Sequence, residues 1–222
     1  MRMPRLTALL VAGLVAAAPA TAAPGSCAGM GGTTEDGICR LAVTEPAYRM
    51  DIRFPLGYPD EQAIVDYLTQ ARAGFVNIAQ SPGSLNLPYE MDVTAQSFRS
   101  RQTQSVVLTL FQDVGSAHPT TWYRSFTYDL DRGTPVSFDT LFAPGSKPLD
   151  TIFPMVAREL EEQTGLTDAV SPSAGLDPSH YQNFAITDES LIFFFGRAEL
   201  LPSYAGEASV ALSRSEVPPL QL

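Results

Sequence analysis

The chain has 222 residues, with 14 Lys and Arg against 24 Asp and Glu, two His, two Cys and a net charge of −10. Hydrophobic residues at 45% and charged residues at 17% exclude general disorder and a long coiled coil, and the acidic surplus argues against nucleic acid as a partner. Two Cys are too few for a disulfide scaffold and two His for a histidine-rich metal site, so no metal and no cofactor is expected.

In chain order, the first segment reads as an export signal. Arg2 and Arg5 precede Leu6 to Ala18, thirteen uncharged and mostly apolar residues, and Ala20 and Ala22 then take the small-x-small spacing that a signal peptidase reads. The organisation expected is a signal peptide over 1–23 and a single secreted α+β domain over 24–222. The apolar run is shorter than the ~20 residues that span a bilayer and no later segment comes closer, so no transmembrane segment is expected after cleavage. Cys27 lies well past that run, and Pro24-Gly25-Ser26 lacks the Leu expected three residues ahead of a lipidated Cys. The signal carries two Arg and no acid, so its removal leaves 12 basic residues against 24 acidic, a charge of −12. Such a surface suits a cationic protein partner.

Cys27 and Cys39, twelve positions apart, read as one disulfide in an oxidising compartment, closing the Gly/Thr-rich loop Gly29 to Gly37. The spacing matches neither a redox C-x-x-C pair nor a zinc knuckle. A loop of this length is stabilised by roughly 2–3 kcal/mol when bridged.

Tyr48, Met50, Ile52 and Phe54 alternate with Arg49, Asp51 and Arg53, the period of a half-buried strand ended by Pro55. Asp60 is placed to cap a helix whose apolar face holds Ile64, Leu68, Ala71, Phe75 and Ile78. After a loop over Ser81 to Pro88, Tyr89, Met91 and Val93 mark a second alternating strand, and Ser105 to Phe111 is apolar on both faces, as in a central strand. A turn at Gly115 to Pro119 leads back into a strand through Trp122, Arg124, Phe126, Tyr128 and Leu130. Asp131-Arg132-Gly133 is a tight turn into a short strand, Val136 to Phe138. A second helix spans Leu149 to Thr164, with Ile152, Met155, Val156 and Leu160 on its stripe and Gly165 as C-cap. Asn183 to Thr187 and Leu191 to Phe195 form a buried hairpin, and Ala208, Val210 and Leu212 a last strand. The fold class expected is α+β, mostly antiparallel, with two packed helices.

The candidate chemistry is sparse. His118 lies at the Gly115 to Thr121 hairpin tip, where it could serve as a general base or, with Pro119 and Thr120, as a binding loop. His180 follows Asp177-Pro178, a turn start, and reads as a surface residue beside a cap. A serine hydrolase needs a nucleophile held by His and an acid. No Gly-x-Ser-x-Gly elbow is present; Ser171-Pro172-Ser173-Ala174-Gly175 comes nearest, and Ser116, Ser146, Ser173 and Ser179 are equally conceivable nucleophiles. Asp129-Leu130-Asp131-Arg132-Gly133 departs from a calcium loop in its Gly position and in Thr140 at the twelfth place, and reads as a hairpin turn.

Several segments together resemble the mycobacterial secreted immunogenic-protein family, the tuberculosis-antigen group. They are Tyr58-Pro59-Asp60, Gly115 to Tyr123 with its His118-Pro119-Thr120 tip, and Phe138-Asp139-Thr140-Leu141-Phe142. Gly175 to Pro178 with Tyr181 to Thr187, Ile192 to Phe195 and Glu199-Leu200-Leu201-Pro202 complete them. From about Ser146 onward the chain is similar, more distantly, to a domain of unknown function in lysozyme-sensing anti-sigma factors. Where those have a Gly-Gly-Ala-His-Gly turn, this chain has Ser116 and Pro119 at the second and last Gly. The resemblance implies a β-grasp-like α+β fold, a secreted, extracellular or cell-wall-associated location, and no agreed enzymatic activity. The function expected is an immunogenic protein that acts by binding an envelope or protein partner; the alternative is a small secreted carboxyl esterase with a Ser-His arrangement.

Overall fold

The structure, a computed structural model, describes residues 27–222. The expected signal peptide lies outside the described residues. Seven strands, β1 (Thr33–Glu35), β2 (Ile38–Glu45), β3 (Tyr48–Pro55), β4 (Tyr89–Arg99), β5 (Thr103–Asp113), β6 (Thr120–Asp129) and β7 (Thr134–Pro135), form one sheet in chain order. Only β3 and β4 pair in parallel, because α1 (Glu61–Ala79) connects them; the other neighbours are antiparallel. A second, antiparallel sheet contains β8 (Phe184–Ile186), β9 (Ser190–Phe195) and β10 (Ala208–Ser213) in the order β10-β9-β8. Three further helices are α2 (Phe138–Leu141), α3 (Pro148–Thr164) and α4 (Pro172–Gly175), with 3₁₀ turns at Pro178–Tyr181 and Ser203–Ala205. The α+β, mostly antiparallel class is as expected.

Alternation decides what each strand covers. Met50, Ile52 and Phe54 of β3 and Met91 and Val93 of β4 face Ile64, Val65, Leu68 and Phe75 of α1. β5 is buried on both faces: Val106, Leu108 and Leu110 belong to the α1 core, whereas Val107 packs with Ala185 and Phe194 of the small sheet. Phe193, Phe195, Val210 and Leu212 of the small sheet face Ile152, Val156 and Leu160 of α3. Gly165 ends α3 in the left-handed region at φ 71°, where a residue without Cβ is unstrained.

Four sequence readings need correction. Ile78 is 47% exposed; Ala79 is buried in its place, because the stripe rotates toward the C-terminal end of α1. Asp60 flanks α1 but its side chain caps nothing; Glu61 Oε2 accepts the Gly57 N–H at 2.9 Å. The expected strand at Val136 to Phe138 is a helix start, with Thr140 Oγ1 accepting the Ser137 N–H at 3.1 Å as in a capping box. The segment Gly29 to Gly37 is not all loop, since β1 begins within it and pairs with β2.

Cys27 and Cys39 form the expected disulfide, with Cα atoms 5.6 Å apart. A Cβ on Gly32 would come within 2.9 Å of both sulfurs, so the loop crosses the bridge at a glycine. Arg72 of α1 donates to the Met30 carbonyl at 2.7 Å and ties that loop to the core helix.

The two sheets are joined by hydroxyls. Phe184 and Ile186 turn their N–H groups away from β9, toward Ser125 Oγ at 2.9 Å and Ser105 Oγ at 3.3 Å. Thr127 Oγ1 lies 3.0 Å from Ser105 Oγ and 3.2 Å from the Phe184 carbonyl that it can donate to. Asn183 Oδ1 accepts the Ser125 N–H at 3.0 Å.

Two stability outcomes follow. Ser105→Ala removes the acceptor of a buried N–H and should lower unfolding free energy by about 1–3 kcal/mol in urea titrations, more than an exposed Ser→Ala control. Reducing the Cys27–Cys39 bridge should lower it by about 2–3 kcal/mol, read from the same titrations with and without reductant.

Candidate functional site

The two histidines sit in different surroundings. His118 is exposed at the β5–β6 tip, where Ser116 Oγ donates to its carbonyl at 2.9 Å. The tip is braced from below: Gly115, at φ +68°, lies against the Leu85 carbonyl and the Tyr89 ring, and its carbonyl accepts from Asn86 Nδ2 at 3.3 Å. Pro119 and Thr120 continue into β6. Among the described residues the His118 ring has no hydrogen-bond or ion-pair partner.

His180 occupies the 3₁₀ turn that enters β8. The side chain of Asp177 accepts the Ser179 N–H at 2.9 Å and starts that turn. This bond, with a lesser contribution from His180, holds the Asp177 carboxyl below its ordinary range. The imidazole Nδ1 lies 3.8 Å from Glu199 Oε1, and both side chains are about three-quarters buried, with 26% and 24% exposure. The distance exceeds a hydrogen bond but gives close charge contact. Burial pushes the Glu199 carboxyl above its ordinary range; the Gly196 N–H, donating to Oε2 at 2.7 Å, and His180 pull in the other direction. Glu199 follows β9 and His180 precedes β8, so the pair is closed by the hairpin whose register sets Phe184 opposite Phe193. No spacing in the sequence marks Glu199 as the partner of His180, since that register carried past both strand ends sets His180 opposite Arg197.

The candidate serines do not converge on either ring. Ser173 Oγ bonds Ser171 Oγ at 3.0 Å in α4, and Ser116 and Ser179 serve their own turns. Among the described residues no serine hydroxyl is hydrogen-bonded to the imidazole ring of His118 or His180, and no cluster of three His, Cys, Asp or Glu could hold a metal ion. Asp129 makes the expected turn, its Oδ1 accepting the Asp131 and Arg132 N–H groups at 2.9 Å each.

A feature without a sequence signal lies alongside. The turn between α2 and α3 and the residues leading into the His180 turn enclose a groove of about 480 Å³, lined in part by Phe138, Phe142, Lys147, Leu149, Leu176 and Pro178.

A protein of Mycobacterium tuberculosis named Esterase Rv3036c is 53% identical over 221 residues, 97% of either chain. The immunogenic proteins MPT64 of M. tuberculosis and MPB64 of M. bovis are each 40% identical over 203 residues, 89% of either chain. The chain belongs to this mycobacterial immunogenic-protein family. Within the family's span, residues 139–215 match the model of a protein of unknown function, DUF3298, which takes in α3, the small sheet and both His180 and Glu199. A DUF3298 protein of Bacteroides fragilis has the same fold, with a TM-score of 0.54 at 13% identity over 83% of this chain and 92% of that one. No helix among the described residues is long and apolar enough to cross a membrane.

The raised Glu199 carboxyl fixes a sign. Its ionised form opposes folding at pH above the folded pKa, and the penalty vanishes below the unfolded value of about 4.3. Glu199→Gln, which keeps an acceptor for Gly196, should therefore be more stable than the parent near neutral pH. That advantage should shrink as the pH falls toward the unfolded value, as seen in paired denaturant titrations across this range.

Proposed function

We propose that the chain is an exported ester hydrolase in which His180 is the general base and Glu199 its supporting carboxylate. The observation that carries this reading is the His180–Glu199 contact, the one place where an imidazole among the described residues has an acid behind it. The relative named an esterase, similar over nearly the whole chain, supports it. In this reading His180 takes a proton from water while the hydroxide adds to the ester carbonyl, and the Glu199 carboxylate stabilises the imidazolium. Collapse of the tetrahedral species expels the alcohol, which recovers the proton from His180, and leaves the carboxylic acid. Water is the nucleophile chosen because no described serine is hydrogen-bonded to either ring. The N-terminal charge, apolar run and small-residue pattern, together with the disulfide, support export to the cell surface or medium.

A second reading, binding of a protein or cell-envelope partner without turnover, is favoured by the lack, among the described residues, of a serine hydroxyl bonded to either imidazole ring and by the relatives named immunogenic proteins. One assay separates them. With p-nitrophenyl acetate, His180→Ala should lower kcat/KM by roughly 10²- to 10⁴-fold and His118→Ala should not. Release of p-nitrophenol should show no burst, and phenylmethylsulfonyl fluoride should not inactivate. A burst with inactivation would put a serine in place of water; no turnover above buffer, with a protein or wall fraction retained on immobilised chain, would favour the binding reading. N-terminal sequencing of protein recovered from medium or cell wall should begin near Pro24.

A further inference from the structure

We propose that the groove between the α2–α3 turn and Leu176–Pro178 is an acyl-binding site that accepts a neutral ester and disfavours its carboxylate product. As a substrate site it rests on the ester-hydrolase reading; as a binding site it does not. Phe138, Phe142 and Leu149 make an apolar floor, each no more than 7% exposed, and Leu176 is left 45% exposed on the wall. Its volume of about 480 Å³ falls within the range of small-ligand sites, about 300–1,000 Å³.

Two features connect this groove to the turn that carries the imidazole. Pro178 lines it and shares the 3₁₀ turn with His180. The Phe138 ring on its floor lies 5.7 Å from the ring of Tyr181, the residue after His180, and the Tyr181 hydroxyl donates to the Gly175 carbonyl at 2.8 Å. The aromatic contact thus fixes the His180 turn against the groove floor.

The rim sets the ligand's charge. Lys147, Asp139 and Asp150 all line the groove, and none of the three forms an ion pair among the described residues. One positive and two negative groups, on a chain already acidic overall, leave a negative field at the mouth. A neutral alkyl ester meets apolar floor without penalty, whereas a carboxylate of the same length is repelled. An acyl group would bind before cleavage and leave after it.

The test uses the disulfide-bonded chain purified from an exporting host. Octanamide, neutral and not an ester, should show saturable binding by calorimetry, and octanoate should bind at least tenfold more weakly. Leu176→Asp, which adds charge at an exposed wall position, and Ala143→Trp, which fills the groove from an exposed rim position, should each abolish octanamide binding while melting near the parent. The same variants should lower the ratio of kcat/KM for p-nitrophenyl octanoate over acetate at least tenfold, and Leu85→Ser, exposed outside the groove, should not. Absent octanamide binding, equal or tighter octanoate binding, or binding unchanged in both folded variants overturns the proposal. Failure of the hydrolase reading shows separately, as octanamide binding that persists in a chain without turnover.

Discussion

A strand that is paired on one side still carries a row of N–H and C=O groups on the other, and burying them unpaired costs about 1–3 kcal/mol each. β8 is that strand in this protein. Its unpaired side is laid on β5 and β6, and the groups that meet it are side-chain hydroxyls: Ser105 and Ser125 accept from Ile186 and Phe184, and Thr127 lies against the Phe184 carbonyl. A sheet face made of hydroxyl residues is a poor apolar surface but a good acceptor surface, and here it serves as the second. Around this seam the apolar contacts are few: Val107, Ala185 and Phe194, with Phe98, Tyr123 and Ile192 at the margin. The two larger cores lie on either side, one under α1 and one under α3.

The candidate site inherits its position from that seam. Asn183, which bonds the Ser125 N–H, and Gln182, whose carbonyl lies 3.2 Å from Ser125 Oγ, follow directly on His180 and Tyr181. On the other strand end, the Arg197 N–H donates to the Thr121 carbonyl at 2.9 Å, two residues before Glu199. Both partners of the imidazole–carboxylate contact are therefore anchored to β6 within two or three residues. The price of holding Glu199 there is a partly desolvated carboxylate, offset by one short backbone bond and by the imidazole beside it.

Legibility followed local periodicity. β3, β4 and α1 were readable because one face of each is buried by a single partner, and β5 because being covered twice makes it apolar throughout. Val136 to Phe138 misled because three alternating residues are also what a cap followed by one helical turn presents. β2 is hard to read although Cys39, Leu41 and Val43 alternate with Arg40, Ala42 and Thr44, since the nearby cysteine and glycines read as loop. The contact of His180 with Glu199 depends on hairpin register carried past both strand ends, and the groove depends on how two turns meet. Neither has a spacing that local pattern reveals, whereas the glycine and proline of the α2–α3 turn mark only that the chain bends there.

The hydroxyl seam also bears on the order in which the chain can assemble. β5 and β6 meet through a short hairpin, and β8 and β9 through another, so each sheet half forms from neighbours in sequence. The bonds across the seam join residues 57 to 81 positions apart. Contacts of that span repay their loop-closure entropy only after both hairpins exist, so docking of the small sheet belongs to the late, slow part of folding. Until it occurs, the unpaired side of β8 and the Ser105–Ser125–Thr127 face are both wet and available to other chains. The chain completes its candidate site at the same moment that it hides this adhesive edge.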